Sequence, residues 1–200
     1  MIIIKHRQNT YDEIQSLNRI YGAEIDLRCD SGDIYVSHDI YNQDVLFEKW
    51  LDYYEHAFLI ANIKEEGIED IVLKMLDKKN ITDFFLLDQS FPNIMRYINN
   101  GFTKSCIRIS DYEPIDTALK LHKNINWVWL DSFKIFNFTS NDINKLKSLN
   151  IKICLVSPEL HQDFFKIDLK SLFKILIERD VKIDAVCTKF ESEWENFRYA

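Results

Sequence analysis

Apolar residues along this chain come in two rhythms. Short runs such as Ile2-Ile3-Ile4, Phe58-Leu59-Ile60-Ala61, Phe84-Phe85-Leu86-Leu87 and Trp127-Val128-Trp129-Leu130 have the length and the branched or aromatic content of buried strands. Between them, apolar positions recur three and four residues apart, as on a helix that buries one face. Thr10-Tyr11-Asp12-Glu13 has the capping-box pattern, and Ile14, Leu17, Ile20 and Tyr21 follow at helical spacing up to Gly22. Residues 23–28 then read as a second strand, Asp30-Ser31-Gly32-Asp33 as a turn, and residues 34–38 as a returning hairpin arm. Val45, Leu46, Trp50, Tyr53 and Tyr54 predict a helix from about Gln43, which leads to a third strand over residues 58–64.

The unit then repeats: helix 67–79, strand 84–88, a helix opened by Ser90-Phe91-Pro92, strand 105–110, helix 114–122, strand 127–131, a helix capped at Thr139 or Ser140, strand 151–157, helix 168–179 and strand 183–189. Eight strands alternating with helices predict a single-domain (β/α)8 TIM barrel over residues 1–200, with a hairpin after strand two. The competing open, doubly wound sheet would place a glycine-rich turn after strand one, where this chain has His6-Arg7-Gln8-Asn9-Thr10.

Composition narrows the class. With 200 residues, 46% hydrophobic, 28% charged and only 4 Gly and 3 Pro, the chain is globular. A net charge of −7 argues against a general nucleic-acid binder, which needs a basic surface, while leaving room for a small anion in a local basic pocket. The opening apolar run is too short for a signal peptide or a membrane span, so we expect a cytoplasmic protein with no stable membrane association. The 4 cysteines are dispersed without a C-x-x-C pair, as expected of structural, reduced thiols.

Candidate chemistry gathers where strands end, the functional face of such a barrel. Glu24, Asp26 and Arg28 alternate along one strand and so share a face, an arrangement that is costly unless a cation, an anion or one another compensates them. Glu24 and Asp26 supply hard oxygens suited to Mg²⁺ or Ca²⁺, and Asn62 on the next strand can add a carbonyl oxygen. Arg7, Arg28, Lys64, Arg108 and Lys189 either ring a phosphate or simply pair with the acids, and Asp131 ends strand six. His6 and His38 stand at strand ends, either as structural side chains or as a general acid and base. His56, His122 and His161 fall in helix or loop positions and are expected at the surface.

As an ordered set, His6-Arg7, Asn9-Thr10, Glu24-x-Asp26, the Gly32 turn, His38-Asp39, Asn62-x-Lys64, Ser90-Phe91 and Thr188 resemble the glycerophosphodiester phosphodiesterase family, grouped with the phosphatidylinositol-specific phospholipases C. The resemblance implies His6 and His38 as the acid–base pair, Glu24 and Asp26 as ligands of a divalent metal ion (Mg²⁺, Ca²⁺ or Mn²⁺), and Arg7 and Lys64 on the phosphate of a small phosphodiester substrate. Three departures stand out: Gln8 replaces the glycine after His-Arg, Asn62 replaces the third carboxylate, and the substrate-covering insertion after His38 is missing. The short form, with Asn62-Ile63-Lys64, Asp88-x-Ser90-Phe91-Pro92 and Ser157-Pro158-Glu159, looks like a bacterial subgroup associated with surface-polysaccharide synthesis. Expected activity is phosphodiester hydrolysis; the alternatives are transfer to a cyclic phosphate, as in the phospholipases C, and a non-catalytic barrel that binds a phosphorylated ligand.

Overall fold

A computed structural model describes residues 1–161 and 167–199. Its strands are β1 (Ile2–Lys5), β2 (Gly22–Asp30), β3 (Asp33–Val36), β4 (Leu59–Ile63), β5 (Phe84–Leu87), β6 (Cys106–Ile109), β7 (Trp127–Leu130), β8 (Lys152–Val156) and β9 (Ala185–Thr188). Its helices are α1 (Tyr11–Ser16), α2 (Phe47–Trp50), α3 (Glu69–Lys78), α4 (Phe91–Asn99), α5 (Ile115–Lys120), α6 (Ser140–Ser148), α7 (Leu169–Glu178) and α8 (Glu191–Tyr199). Apart from the hairpin arm β3, the strands are parallel and alternate with helices as in a (β/α)8 barrel. The chain divides into two compact units, Ile4–Arg96 and Met1–Ile3 with Tyr97–Ala200.

In the unit Ile4–Arg96 the strand order is β5-β4-β2-β1, with β3 antiparallel on β2. Glycine is required at position 22: a Cβ there would lie 2.7 Å from the Phe58 carbonyl oxygen and 2.8 Å from Ile4. β2 outruns its neighbours because its far end pairs with β3 through a two-residue turn in which Ser31 (φ 50) and Gly32 (φ 94) are both left-handed, as a tight hairpin demands. The register sets Asp26 of β2 beside Asn62 of β4. Ile4, Ile25, Leu27, Leu59 and Ile60 are fully buried, as are Phe47 and Trp50 of α2. The Trp50 indole donates to the Gln8 carbonyl at 2.9 Å, which ties α2 to the loop after β1. The helix expected from Gln43 is a single turn, continued as a 3-10 turn over Leu51–Tyr53. Its start is delayed because Val45 accepts from the Val36 N–H and Leu46 bridges Tyr35, holding these residues extended along β3.

In the other unit the parallel order is β9-β8-β7-β6, and the Ile2 N–H donates to the Asp184 carbonyl. Helix α8, which the periodicity does not predict, carries only two large apolar anchors among charged residues. Its Trp194 is fully buried, edge-on to Phe173 with centroids 4.8 Å apart, and donates to Ser157 Oγ at 2.9 Å.

One device ends four of the helices. Asn80, Gly101, Asn150 and Asp180 each take a left-handed conformation, and the next N–H returns to Leu76, Tyr97, Leu146 or Leu176 respectively. This six-to-one bond satisfies a terminal helix carbonyl and turns the chain into the following strand. Among the described residues no helix is long and apolar enough to cross a membrane.

Candidate active site

The chain leaves β1 through His6-Arg7-Gln8-Asn9, and each of these residues is used to hold β2. Arg7 has a φ of 52, an unfavourable backbone for a side-chain-bearing residue, and its N–H donates to Glu24 Oε2 at 2.8 Å. The Gln8 N–H donates to the Glu24 carbonyl. Asn9 brackets Asp26, donating to Oδ2 at 2.9 Å and accepting from the Asp26 N–H at 3.1 Å. Thr10 then caps α1 with a complete capping box. The loop is therefore built around the two acids rather than merely lying near them.

Glu24 and Asp26 are 2% and 1% exposed, so both carboxylates need partners. Asn62 donates to Glu24 Oε1 at 3.1 Å, and Lys64 Nζ lies 3.1 Å from Asp26 Oδ1 and 3.8 Å from Asp88 Oδ2. Arg7 Nε stands 3.6 Å from Asp26 Oδ2, on a side chain that is nearly half exposed. His6 Nε2 lies 3.8 Å from Glu24 Oε2. Burial, and then the negative charge of Asp26, push the Glu24 carboxyl up to about 7, against the pull of the Arg7 N–H, the Asn62 amide and Lys64. Six of the expected site residues thus converge: His6, Arg7, Glu24, Asp26, Asn62 and Lys64.

The remaining two from this unit behave differently. Arg28 shares strand β2 with the acids, yet its guanidinium pairs with Glu65 at 3.3 Å and donates to the His38 carbonyl. The backbone brings His38 close, since the Ser37 N–H before it donates to the Asp26 carbonyl at 2.9 Å. Its imidazole is half exposed and bonded to Asp39 at 3.2 Å.

The later unit holds Arg108, Asp131 and Lys189. Arg108 Nη1 donates to Asp131 Oδ2 at 2.7 Å, and the Asp131 carboxylate is wholly buried. Lys189 is exposed, and its N–H donates to Glu159. His161, expected at the surface, is instead largely buried with Nε2 2.8 Å from Asp131 Oδ1. Its position after β8, in the 3-10 turn Pro158–His161, carries no periodic signal that would have placed it there.

Among the described residues, no group of three or more His, Cys, Asp and Glu side chains is placed to hold a metal ion. The set on β2 and β4 is two carboxylates and an amide. Among the described residues Asn62 Oδ1 is buried without a hydrogen-bond partner, an unsatisfied hard oxygen beside two acids, and this donor chemistry fits a cation such as Mg²⁺ or Ca²⁺. Sequence reasoning left Asn9, Asp88 and Glu65 out of the site. Asn9 had a signal, since it precedes a helix-capping Thr in the loop that leaves β1, whereas the partners of Lys64 and Arg28 follow only from the packing.

No protein-family model matches the sequence, and no curated protein matches it. Solved structures do. A glycerophosphodiester phosphodiesterase from Agrobacterium tumefaciens is 12% identical with a TM-score of 0.66, covering 100% of both chains. A glycerophosphoryl diester phosphodiesterase from Parabacteroides distasonis is 12% identical with a TM-score of 0.63, over 94% of this chain and 82% of that one. The chain shares the fold of these enzymes.

Proposed function

We propose that this chain is a divalent-cation-dependent phosphodiester hydrolase acting on a small substrate, a glycerophosphodiester or a related surface-glycan precursor. One observation carries the reading: two buried carboxylates and the unsatisfied Asn62 oxygen lie together on adjacent parallel strands, with His6 3.8 Å from Glu24, on the fold of glycerophosphodiester phosphodiesterases. Glu24, Asp26 and Asn62 would hold the cation, which when bound supplies positive charge to the non-bridging phosphoryl oxygens. Arg7 and Lys64 add fixed donors for the same oxygens, and Arg28 is assigned to a substrate contact further out. His6 accepts the proton of an attacking water as the new P–O bond forms. His38, turned away from Asp39, gives a proton to the leaving alkoxide as the old P–O bond breaks. The absence of any disulfide among the four cysteines suits a cytoplasmic setting.

A second reading has its own support. Lys64 and Arg7 already stand against Asp26, as they would in a barrel that binds a phosphorylated ligand without hydrolysing it. Incubating wild type and His6→Ala with glycerophosphocholine and bis-p-nitrophenyl phosphate in Mg²⁺, Mn²⁺ or Ca²⁺ separates the two. Turnover by wild type alone supports the enzyme; equal, near-zero rates with thermal stabilisation by phosphorylated ligands support the binding protein. Phosphorus NMR of the products distinguishes hydrolysis from closure to a cyclic phosphate.

A further inference from the structure

Glu69 is a buried acid that the proposed hydrolysis does not use. It opens α3, is 1% exposed, and commits both carboxylate oxygens to neighbouring segments. Oε2 accepts from the Gly67 N–H at 2.8 Å, in the loop that leaves β4. Oε1 accepts from the side-chain amides of Asn93 and Gln89, in the segment that leaves β5. One carboxylate therefore staples the two stretches of chain that begin with Lys64 and Asp88. Burial removes water as an alternative partner, so opening the staple is costly.

The staple brings an unusual residue into play. Asp88, directly after β5, has a φ of 58, a left-handed backbone that Asp and Asn tolerate better than most side chains. The register pairs Leu87 with Asn62, which sets Asp88 level with the end of β4, where Lys64 follows. Asp88 Oδ2 lies 3.8 Å from Lys64 Nζ, and Asp26 Oδ1 lies 3.1 Å from the same ammonium. Lys64 thus stands between two acids, nearer to the one that is a candidate metal ligand.

That asymmetry matters once Glu24, Asp26 and Asn62 hold a cation. A divalent ion on Asp26 repels the ammonium that neutralises this carboxylate in its absence. The Lys64 side chain is 20% exposed, so water by itself is a poor receiver for its charge. Asp88 is a good one. A shift of about 1 Å converts the ion pair into a charge-assisted hydrogen bond of about 2.8 Å. Arg7, the other cation against Asp26, is 45% exposed and has solvent to turn to.

We propose that Asp88 is a positioning residue for Lys64: it receives the ammonium when Asp26 takes up a cation, and so keeps Lys64 at the site. Glu69 sets the distance over which this exchange runs, because it holds the start of both loops. The proposal rests on the reading of Glu24, Asp26 and Asn62 as cation ligands, and it adds a residue that acts through Lys64.

A double-mutant cycle on Mn²⁺ affinity, measured by calorimetry on the full chain, tests it. Asp88→Asn removes the carboxylate and keeps a residue suited to the left-handed backbone, and Lys64→Met removes the ammonium and keeps an apolar stem. Asp88→Asn should weaken Mn²⁺ binding about fivefold when Lys64 is present, and less than about twofold when Lys64 is already Met. Asp88→Gly, which suits the same φ, should behave as Asp88→Asn does. Equal weakening in both backgrounds would mark a carboxylate that attracts the cation directly, and an unchanged affinity with a lowered urea midpoint would mark a purely structural residue. Either result overturns the positioning role and leaves the cation site standing. If wild type binds none of Mn²⁺, Mg²⁺ and Ca²⁺, the cation reading falls and the proposal falls with it.

Discussion

Each compact unit buries acid at the ends of its strands, and the two solve the problem in opposite ways. Asp131 is a single carboxylate saturated by a guanidinium, an imidazole and a backbone N–H. Glu24 and Asp26 are two carboxylates on one strand, held by amides and a backbone N–H as well as by Lys64 and Arg7. Where donors match the acid, the charge is settled and the acid serves as a scaffold. Where two acids crowd, one is pushed toward its neutral form.

The largest test of this contrast is to remove one cation from each site. Arg108→Ala leaves the fully buried Asp131 carboxylate with the His161 imidazole and the Ser132 N–H but without its guanidinium, and should cost about 3–5 kcal/mol in urea unfolding. Lys64→Ala should cost less, about 2 kcal/mol, because Asn9 and Arg7 still attend Asp26. Equal losses would show that the two sites are not different in kind.

Next comes pH. The folded-state value of Glu24, about 7, lies above the unfolded value of 4.5, so the folded chain binds this proton more tightly. Its contribution is therefore fully present below about pH 4.5 and is lost as pH rises through about 7, a decline of about 3 kcal/mol in metal-free protein. Chemical denaturation of wild type and Glu24→Gln across that window should show the decline in wild type only.

Cation binding sharpens the contrast further. Because Glu24 must shed its proton to act as a ligand, Mg²⁺ or Mn²⁺ should raise the melting temperature more at pH 8 than at pH 6. Asn62→Leu should weaken that binding about tenfold, or about 1.4 kcal/mol by calorimetry. The smallest change in stability belongs to His38→Gln. Its half-exposed ring bonds only to Asp39 among the described residues, so unfolding should shift by about 0.5 kcal/mol or less. Phosphodiester turnover in that variant should fall by about 10²-fold or more if His38 moves a proton.

Much of the fold was legible because it rests on local rules. The alternation of apolar runs and helical stripes marked the eight parallel strands, the Thr10 capping box placed α1, and Asp30-Ser31-Gly32-Asp33 placed the hairpin. Local rules failed where a distant partner decided the conformation. The helix expected from Gln43 yields its first residues to pairing with β3, and α8 holds its place through Trp194 packed edge-on against Phe173 rather than through its own stripe. Of the site, alternation placed Glu24 and Asp26 on one face, and strand ends brought forward His6, Arg7, Asn62 and Lys64.

What the sequence alone determined is where the polar groups lie along the chain and which of them share a strand face, since strand period and capping depend on neighbours a few residues away. Only the tertiary structure decided which charge meets which. Lys64 faces Asp26 while Arg28, on the acids' own strand, goes to Glu65, and His161 turns inward to Asp131 across thirty residues of chain. Such pairings are selected by the need to satisfy each buried charge, and that need exists only once packing has removed the water.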